Sequence, residues 1–391
     1  MTASPVLPSD RIDAIDVLRG VALFGVLAVN LITEFRVSIF QQFLPNMGVG
    51  SIADRAVESF VSVALESKAF SLFSLLFGVG LAIQFERLAR NGSPLRWLVR
   101  RLAVLLAFGL IHLLLIWNGD ILTEYALAGF VALPFLFAPR WALLAGSAVF
   151  LLLYLGLPLL SPPIPWPTMA WIQQHVAEAN NVYANGSMVE VLRFSFNEIR
   201  SLLPLHVYVF PRTVALILFG ACIWRTGLLK QVSAHRLTLI GVAFGCVAAG
   251  GVLTLMDANS VSPLVWNWLS ALAPIILAIG YGASVVCLVA FTPLRDRLGP
   301  IGALGRMAFT NYLMQSVIFG WIFFGCGLGL FGKVGATHAL LLVVIVYALQ
   351  AVISSWWLRH YRFGPVEWLW RTLMYASRQR MLLVPTRAEL T

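Results

Sequence analysis

The chain has 391 residues, of which 60% are hydrophobic and only 11% are charged, and its mean hydropathy is +0.86. Because a water-soluble protein of this length carries about 25% charged residues, this composition excludes an ordinary soluble enzyme. The formal net charge of +10 would fit a nucleic-acid-binding protein, but the basic residues stand at the ends of apolar runs, where they orient membrane helices.

We therefore expect no nucleic-acid partner, and we predict an all-α, polytopic integral membrane helical bundle. A membrane-spanning helix needs about 20 residues, and about ten apolar runs approach or exceed this length. In chain order, the predicted spans lie near 17–35, 60–85, 98–117, 120–138, 141–160, 206–225, 237–256, 264–292, 302–325 and 337–358.

The distribution of arginine and lysine predicts the orientation of these spans. With the N-terminus in the cytoplasm, most basic residues fall on the cytoplasmic side, as the positive-inside rule requires. Both termini are therefore predicted to be cytoplasmic, with one transmembrane domain over 1–391 and a cytoplasmic C-terminal tail over 359–391.

The longest predicted outer connection covers 161–205. It opens with "SPPIPWP", which cannot be helical, and continues with two stretches whose apolar residues recur at helical spacing. We predict short amphipathic helices on the extracytoplasmic surface, which form either a plain loop cap or a lid over a cavity.

The stretch "GLIHLLLIWNGDILTEYAL" (109–127) places His112, Asp120, Glu124 and Tyr125 close together in an apolar context. Ionisable groups inside spans cost roughly 2.5–3.5 kcal/mol each, so each is a functional candidate. His112 and Asp120 flank a predicted tight outer turn and would face one cavity, where a histidine beside carboxylates suits proton transfer. The structural alternatives are a helix N-cap for Asp120 and a hydrogen bond from His112 to a backbone carbonyl.

Further polar residues of the spans lie mostly in the predicted outer half of the membrane. These candidates are Asn30, Glu34, Lys68, Tyr125, His206, Arg212, Asn311 and Gln315. At the inner side, a second group would bind a phosphate-bearing ligand, unless it serves as ion pairs or contacts lipid headgroups. This group consists of Asp16, Arg19, Arg96, Arg100 and Arg101. No cysteine pair has metal-ligand spacing, and we predict no metal site.

Several long motifs resemble the YeiB-like family of bacterial membrane proteins. They are "IDVLRGVALFGVLAVN" (15–30), "KAFSLFSLLFGVGLA" (68–82) and "GLIHLLLIWNGDILTEYALAG" (109–129). The stretches "LGRMAFTNYLMQSVI" (304–318) and "YRFGPVEWLWRTLMY" (361–375) resemble that family's C-terminal domain of unknown function. The resemblance spans nearly the whole chain and implies a multi-pass protein of the bacterial cytoplasmic (inner) membrane.

The first motif is also similar, more faintly, to the first core span of heparan-α-glucosaminide N-acetyltransferase, a member of the transmembrane acyltransferase superfamily. That pattern of Asp, Arg-Gly and Asn falls on Asp16, Arg19, Gly20 and Asn30. The similarity implies acyl transfer from cytoplasmic acyl-CoA, with Asn30 matching a proposed active-site asparagine. The enzyme's following histidine is not matched in "EFRVSIFQQF" (34–43).

The leading prediction is an integral-membrane acyltransferase with acyl-CoA as co-substrate. His112, polarised by Asp120 or Glu34, would remove a proton from the acceptor. An oxyanion would be bound by one of three amides, Asn30, Asn311 or Gln315. The acceptor would contact substrate-binding residues, which are Tyr125, Lys68, His206, Arg212, Asn311 and Gln315.

Two alternatives remain beside the acyltransferase. One is a proton-coupled transporter of a small solute, and the other is a lipid- or partner-binding protein that uses 161–205 as its contact surface. The expected partners are membrane lipids and an unidentified acceptor, which would be a sugar, a lipid or a small metabolite. Assembly into a homo-oligomer stays open.

Overall fold

Helices make up nearly all the regular structure of the computed structural model, which describes residues 13–45, 50–90, 92, 94–160 and 165–383. In this part of the chain the first seven helices are α1 (Asp13–Asn30), α2 (Ile52–Phe60), α3 (Lys68–Ala89), α4 (Pro94–Leu115), α5 (Leu122–Ala132), α6 (Arg140–Gly156) and α7 (Met169–Asn185). The next seven are α8 (Met188–Thr226), α9 (Arg236–Leu255), α10 (Pro263–Phe291), α11 (Gly299–Arg306), α12 (Ala308–Phe323), α13 (Ala336–His360) and α14 (Pro365–Tyr375).

Eight helical segments of the described chain are long and apolar enough to cross a bilayer, which confirms the all-α polytopic membrane bundle. Two further helices, α5 with 11 residues and α12 with 16, fall on predicted spans but are shorter than a full crossing. A 3-10 turn over Pro134–Phe137 follows α5. Only Met307 separates α11 from α12, so these two helices cover one predicted span together.

The structure differs from the predicted organisation at the start of the second span. Ser67 adopts a left-handed conformation with φ of 60°, which ends the preceding turn, and α3 starts only at Lys68. The amphipathic helix α2 and a π-helical turn over Val61–Leu65 precede this break. The charged sequence Glu66-Ser67-Lys68 therefore forms a helix boundary, whereas the prediction started the span near residue 60.

Two other differences concern the outer connection and the tail. The predicted connection 161–205 ends in a helix that continues without a break into the sixth span, since α8 runs for 39 residues through Pro204 and Pro211. The predicted tail 359–391 contains α14, and an isolated bridge between Tyr361 and Leu382 holds the chain after it. Residues 161–164 and 384–391 lie outside the described part.

Close helix crossings build the centre of the bundle. A Cβ atom at Gly78 of α3 would overlap the Ile217 carbonyl of α8, and one at Gly220 of α8 would overlap the Leu75 carbonyl. Small residues of this kind let membrane helices approach backbone to backbone. The crossing fixes α3, which forms one wall of the cavity described below, against the longest helix.

The outer surface of the bundle is apolar. On α9, Leu237, Phe244 and Leu255 are 85%, 78% and 81% exposed. Soluble proteins rarely present contiguous apolar surfaces of this extent to water. These side chains therefore face lipid.

Candidate functional site

A cavity of about 590 Å³ lies between α1, α3, α4, α5, α12 and α14. This volume is within the range of roughly 300–1,000 Å³ that is usual for small-molecule sites. Phe73, Leu76 and Phe77 of α3 and Leu105 of α4 form apolar parts of its wall. The cavity therefore has room for an elongated ligand with an apolar part.

Among the described residues, seven arginines line this cavity, and we call the part that they line the arginine-rich end. They are Arg19, Arg87, Arg90, Arg101, Arg306, Arg362 and Arg371. Three acidic residues also line it, but each has a basic or backbone partner of its own. Asp16 pairs with Arg19 at 2.8 Å, Glu86 pairs with Lys230 at 2.9 Å, and Glu367 binds the start of α12. The arginine-rich end therefore favours an anionic ligand.

Arg101 is the most buried of these cations, with 8% of its surface exposed. Its guanidinium carbon lies 4.5 Å from the ring centre of Trp370 and 6.0 Å from that of Phe77. Its Nε makes no hydrogen bond within the described residues. A buried N–H group without an acceptor is costly, so an anion that accepts from Arg101 Nε would be stabilised there.

The floor of the arginine-rich end is α14, which Glu367 attaches to α12. One carboxylate oxygen of Glu367 accepts hydrogen bonds from the N–H groups of Phe309 (2.8 Å) and Thr310 (3.0 Å), and the other accepts from the Thr310 hydroxyl at 2.5 Å. A carboxylate at a helix N-terminus is stabilised by the unpaired N–H groups there. Burial nevertheless raises the pKa of Glu367 above its ordinary value.

The cavity also reaches the start of α5 and the α12 residue Tyr312 beside a buried histidine, and we call this part of its lining the closed end. Ile121, Leu122, Tyr125 and Tyr312 line this closed end. The Tyr312 ring centre lies 5.3 Å from that of His112, and the Tyr312 hydroxyl accepts the Ile121 N–H at 3.5 Å. A single layer of side chains thus separates the cavity from His112.

His112 joins Asp120 and Ser316 in a continuous chain of hydrogen bonds. Its Nδ1 lies 2.9 Å from Asp120 Oδ1, and its Nε2 lies 2.9 Å from Ser316 Oγ. None of the three residues is more than 2% exposed. Because carboxylate oxygens accept hydrogen bonds, we assign the imidazole tautomer with its proton on Nδ1, which leaves Nε2 to accept the serine hydroxyl.

Asp120 contacts both the first turn of α5 and His112. Its Oδ2 accepts the N–H of Thr123 at 2.7 Å in the first turn of α5, while Oδ1 bonds to His112. The helix start therefore holds the carboxylate in place. This support fixes the direction in which the imidazole of His112 points.

A second buried acid–histidine pair lies in the segment predicted as an outer connection. His175 of α7 approaches Glu198 of α8 at 2.7 Å, and the other Glu198 oxygen accepts from Tyr183 and Asn118, each at 2.7 Å. The His175 ring is stacked between Trp171 and Phe194, at 4.3 and 5.0 Å between ring centres. The sequence-based prediction counted none of these residues among its site candidates.

A small cavity of about 10 Å³ lies between this second pair and the turn that carries Asp120. Glu34, Trp117, Asn118 and Glu198 are among its lining residues. A Cβ atom at Gly119 would overlap the Glu34 carboxylate, so Glu34 packs on the turn. Trp117 lies 6.2 Å from His112 between ring centres, which places His112 between the two cavities.

The structure brings some of the other predicted residues to the large cavity and not others. Asp16, Arg19, Arg101 and Tyr125 line it, and the Tyr125 hydroxyl donates to the Phe70 carbonyl at 3.0 Å. Arg96 and Arg100 do not line it. Arg96 lies beside Trp97, at 5.8 Å from its ring centre, while Arg100 donates to the carbonyl of Leu373 at 2.9 Å.

Two predicted oxyanion donors are bonded to α13 instead. The Asn311 amide donates to Ser354 at 3.0 Å, and the Gln315 amide donates to Gln350 at 2.7 Å. Asn30 is buried at the end of α1 and lines neither of the two cavities described here. The amides of Asn311 and Gln315 therefore join α12 to α13.

The remaining predicted substrate contacts are dispersed over two other places. Lys68 donates to the Ser62 carbonyl at 3.0 Å. His206 lies 3.4 Å from Glu124, which also accepts from the Thr213 hydroxyl. Arg212, on the same helix, lies over the Tyr154 ring at 5.8 Å. His206 and Arg212 thus take part in contacts among α5, α6 and α8. Neither they nor Lys68 line either cavity.

Together the fold and the site define a polytopic helical membrane protein with a basic cavity that ends beside a buried serine, histidine and aspartate. The family model described as "Protein of unknown function (DUF418)" matches residues 223–377. The chain is 37% identical over 402 residues to the uncharacterized protein YxaH of Bacillus subtilis (strain 168), which covers 96% of this chain and 97% of the relative.

It is also 32% identical over 385 residues to the uncharacterized protein YeiB of Escherichia coli (strain K12), which covers 93% of this chain and 96% of the relative. A third relative, an uncharacterized 39.9 kDa protein of Bacillus acidopullulyticus, is 27% identical over 387 residues, or 97% of this chain and 98% of the relative. The chain belongs to the YeiB-like family, as its motifs predicted.

Proposed function

We propose that the protein is an integral-membrane acyltransferase that takes its acyl group from acyl-CoA. The observation that carries this proposal is that one cavity extends from a group of seven arginines to the side chains that cover His112. A phosphate-bearing donor with a long arm matches a cavity with a basic end, an apolar wall and a general base beyond it.

The donor would enter by the arginine-rich end, which faces the cytoplasm if the positive-inside rule holds. Its phosphates would lie beside Arg90 and Arg362, and the buried Arg101 would meet the phosphate that reaches deepest. The pantetheine arm would then follow the apolar wall of α3 toward the closed end. Bidentate guanidinium–phosphate pairs give such a site both charge and direction.

In the transfer, His112 acts as a general base. The acceptor hydroxyl or amine gives its proton to Nε2, its oxygen or nitrogen forms the new bond to the thioester carbonyl carbon, and the carbon–sulfur bond breaks. The CoA thiolate leaves with the proton from the imidazolium as free CoA. Asp120 stabilises the imidazolium, a role that its buried hydrogen bond to Nδ1 supports.

The acceptor would approach from the side of the small cavity, near Glu34 and Trp117. In the present conformation Trp117 and Tyr312 cover His112 from the two sides, so both rings must turn for donor and acceptor to meet. This arrangement supports transfer to an acceptor that lies across the membrane from the donor. Closed side chains around a reacting centre also keep water from the thioester.

The test is binding of radiolabelled acetyl-CoA to the purified full-length protein in detergent, with adenosine 3′,5′-bisphosphate as competitor. The double variant Arg90→Gln/Arg362→Gln removes two cavity cations. Because a hydrogen bond to a charged group contributes about 1.5–3 kcal/mol, we expect affinity to fall at least about tenfold, which corresponds to about 1.4 kcal/mol.

The matched control is Arg96→Gln, since Arg96 belongs to the same end of the bundle but does not line the cavity. It should bind acetyl-CoA as the unaltered protein does. Absence of saturable binding, or equal losses in the control and the double variant, would contradict the proposal.

A proton-coupled transporter is the second candidate, and the position of His112 between two cavities favours it. The two cavities would then be the ends of one solute path. Uptake into proteoliposomes with an imposed pH gradient separates the two functions. Solute flux without CoA binding would favour transport.

A further inference from the structure

We propose that Ser316 is the first acceptor of the acyl group, so that the reaction passes through an ester on this serine. This inference rests on the proposed function and deepens it. Ser316 belongs to α12, lies 2.9 Å from Nε2 of His112, and is 2% exposed. With Asp120 on the other imidazole nitrogen, the three residues have the connectivity of a nucleophile, a base and the acid that orients the base.

The hydroxyl of Ser316 differs from those of three other helix serines, Ser74, Ser284 and Ser355. Ser74, Ser284 and Ser355 each donate to the carbonyl four residues earlier, at 2.9, 2.8 and 2.7 Å. For Ser316 the corresponding distance to the Tyr312 carbonyl is 3.4 Å, which is a weak bond. Its proton is therefore directed to the imidazole and not to the helix backbone.

The position relative to the cavity is also that of a first acceptor. Tyr312 precedes Ser316 by one turn of α12 and lines the closed end, so rotation of its ring opens a path from the cavity to the serine. Ser316 already occupies the place on Nε2 that an acceptor hydroxyl would need for direct transfer. A serine ester formed there is buried away from water, which protects it until the acceptor arrives.

Each half of the reaction balances. First, the Ser316 hydroxyl gives its proton to Nε2, Oγ bonds to the thioester carbonyl carbon, and the CoA thiolate leaves and takes that proton. Next, the acceptor hydroxyl or amine gives its proton to Nε2 and attacks the ester carbonyl. The carbon–Oγ bond breaks, and the serine recovers the proton as the acylated acceptor departs.

A fluorophosphonate probe tests the serine without any acyl-CoA. An activated serine displaces fluoride from the probe and keeps the phosphonate, which peptide mass spectrometry locates. We expect labelling at Ser316 in the full-length protein. His112→Gln should slow labelling on the order of 10²–10⁴-fold, the usual contribution of a general base, and Ser316→Ala should abolish it.

The matched control is Ser354→Ala, which removes another fully buried helix serine that bonds to Asn311. It should be labelled at Ser316 at the normal rate. Absence of labelling at Ser316, or labelling that His112→Gln leaves unchanged, would overturn the inference. Thermal unfolding of each variant separates these outcomes from loss of the fold.

Acetyl-CoA then separates the two proposals. Incubation without acceptor should leave one acetyl group on the peptide that contains Ser316. If the protein binds and turns over acetyl-CoA but Ser316→Ala transfers at the normal rate, the serine inference fails while the proposed function stands. If no CoA thioester binds, the proposed function fails, whereas probe labelling would still support Ser316 as a nucleophile toward another acyl donor.

Discussion

In the part of the chain that the structure describes, two acid–histidine pairs are buried, and they differ in which groups the histidine can still contact. In the pair His175–Glu198, the carboxylate accepts three side-chain hydrogen bonds and aromatic rings cover both faces of the imidazole. In the pair His112–Asp120, the second imidazole nitrogen bonds to a hydroxyl, and a cavity lies one side chain away.

This difference shows why a buried histidine beside a carboxylate does not by itself define a catalytic site. The first pair joins α7 to α8 and to the turn at Asn118, so every polar atom of Glu198 has a structural use. The second pair orients an imidazole toward a serine. We expect removal of the first pair to cost mainly stability and removal of the second to cost mainly activity.

The largest expected effect is on activity, in the matched variants His112→Gln and His175→Gln. Glutamine keeps an amide donor for the neighbouring carboxylate but is not a base. Since a general base contributes about 10²–10⁴-fold to rate, His112→Gln should lose this much of the CoA release from acetyl-CoA. His175→Gln should keep normal activity per folded molecule; equal losses in both variants would erase the distinction between the pairs.

The next effect is on stability and concerns Glu198→Ala. This change leaves the donors of His175, Tyr183 and Asn118 without their shared acceptor, and each buried donor left unsatisfied costs about 1–3 kcal/mol. Thermal unfolding in detergent should show a large decrease in Tm. The control is Asp13→Ala, whose ion pair with Arg295 is more than half exposed and is worth about 0–1 kcal/mol. A similar small decrease in both variants would contradict the structural role of Glu198.

Glu367 provides a third buried acid, with no histidine partner, and a pH-dependent test. Because burial raises the pKa of Glu367 in the folded protein, its contribution to stability is fully present below the unfolded value of about 4.3 and is lost as pH rises through the folded pKa. The Tm of the unaltered protein should therefore fall relative to the Tm of Glu367→Gln as the pH rises from about 4.3.

The free energy of unfolding should change by about 1.4 kcal/mol for each tenfold difference in the proton affinity of Glu367 between the folded and unfolded states. Parallel unfolding curves for the two proteins across this pH range would show that the ionisation of Glu367 is not linked to folding.

Much of the fold follows from the sequence, because apolar run length determines which segments enter a membrane. The segments between and after the long apolar runs could not be predicted in the same way. A tail was predicted over 359–391, yet the stretch Pro365–Tyr375 has apolar and polar faces of its own and covers the cavity. That amphipathic pattern was the available signal for α14.

At the site, the pairing of His112 with Asp120 was accessible because a short turn joins their helices. The role of Ser316 could not be predicted, because a serine hydroxyl in an apolar helix usually bonds to its own helix backbone. In addition, its partner His112 lies 204 residues away in sequence. Arg100 and Arg101 are adjacent in sequence but diverge on the helix surface, so only Arg101 lines the cavity.

The smallest effect is expected one residue from Ser316, in the double variant Gln315→Leu/Gln350→Leu. Gln315 of α12 donates to Gln350 of α13 at 2.7 Å, and both side chains are buried. Changing one glutamine leaves a buried amide without its partner, at a cost of about 1–3 kcal/mol, whereas replacing both by apolar groups is close to neutral. Double-mutant cycles in thermal unfolding should show this coupling, while acyl transfer stays at the normal rate in all three variants. Loss of transfer in the double variant would mean that any disturbance of α12 has the same effect as the loss of His112 or Ser316. The assignment of those two residues would then rest on the fluorophosphonate labelling alone.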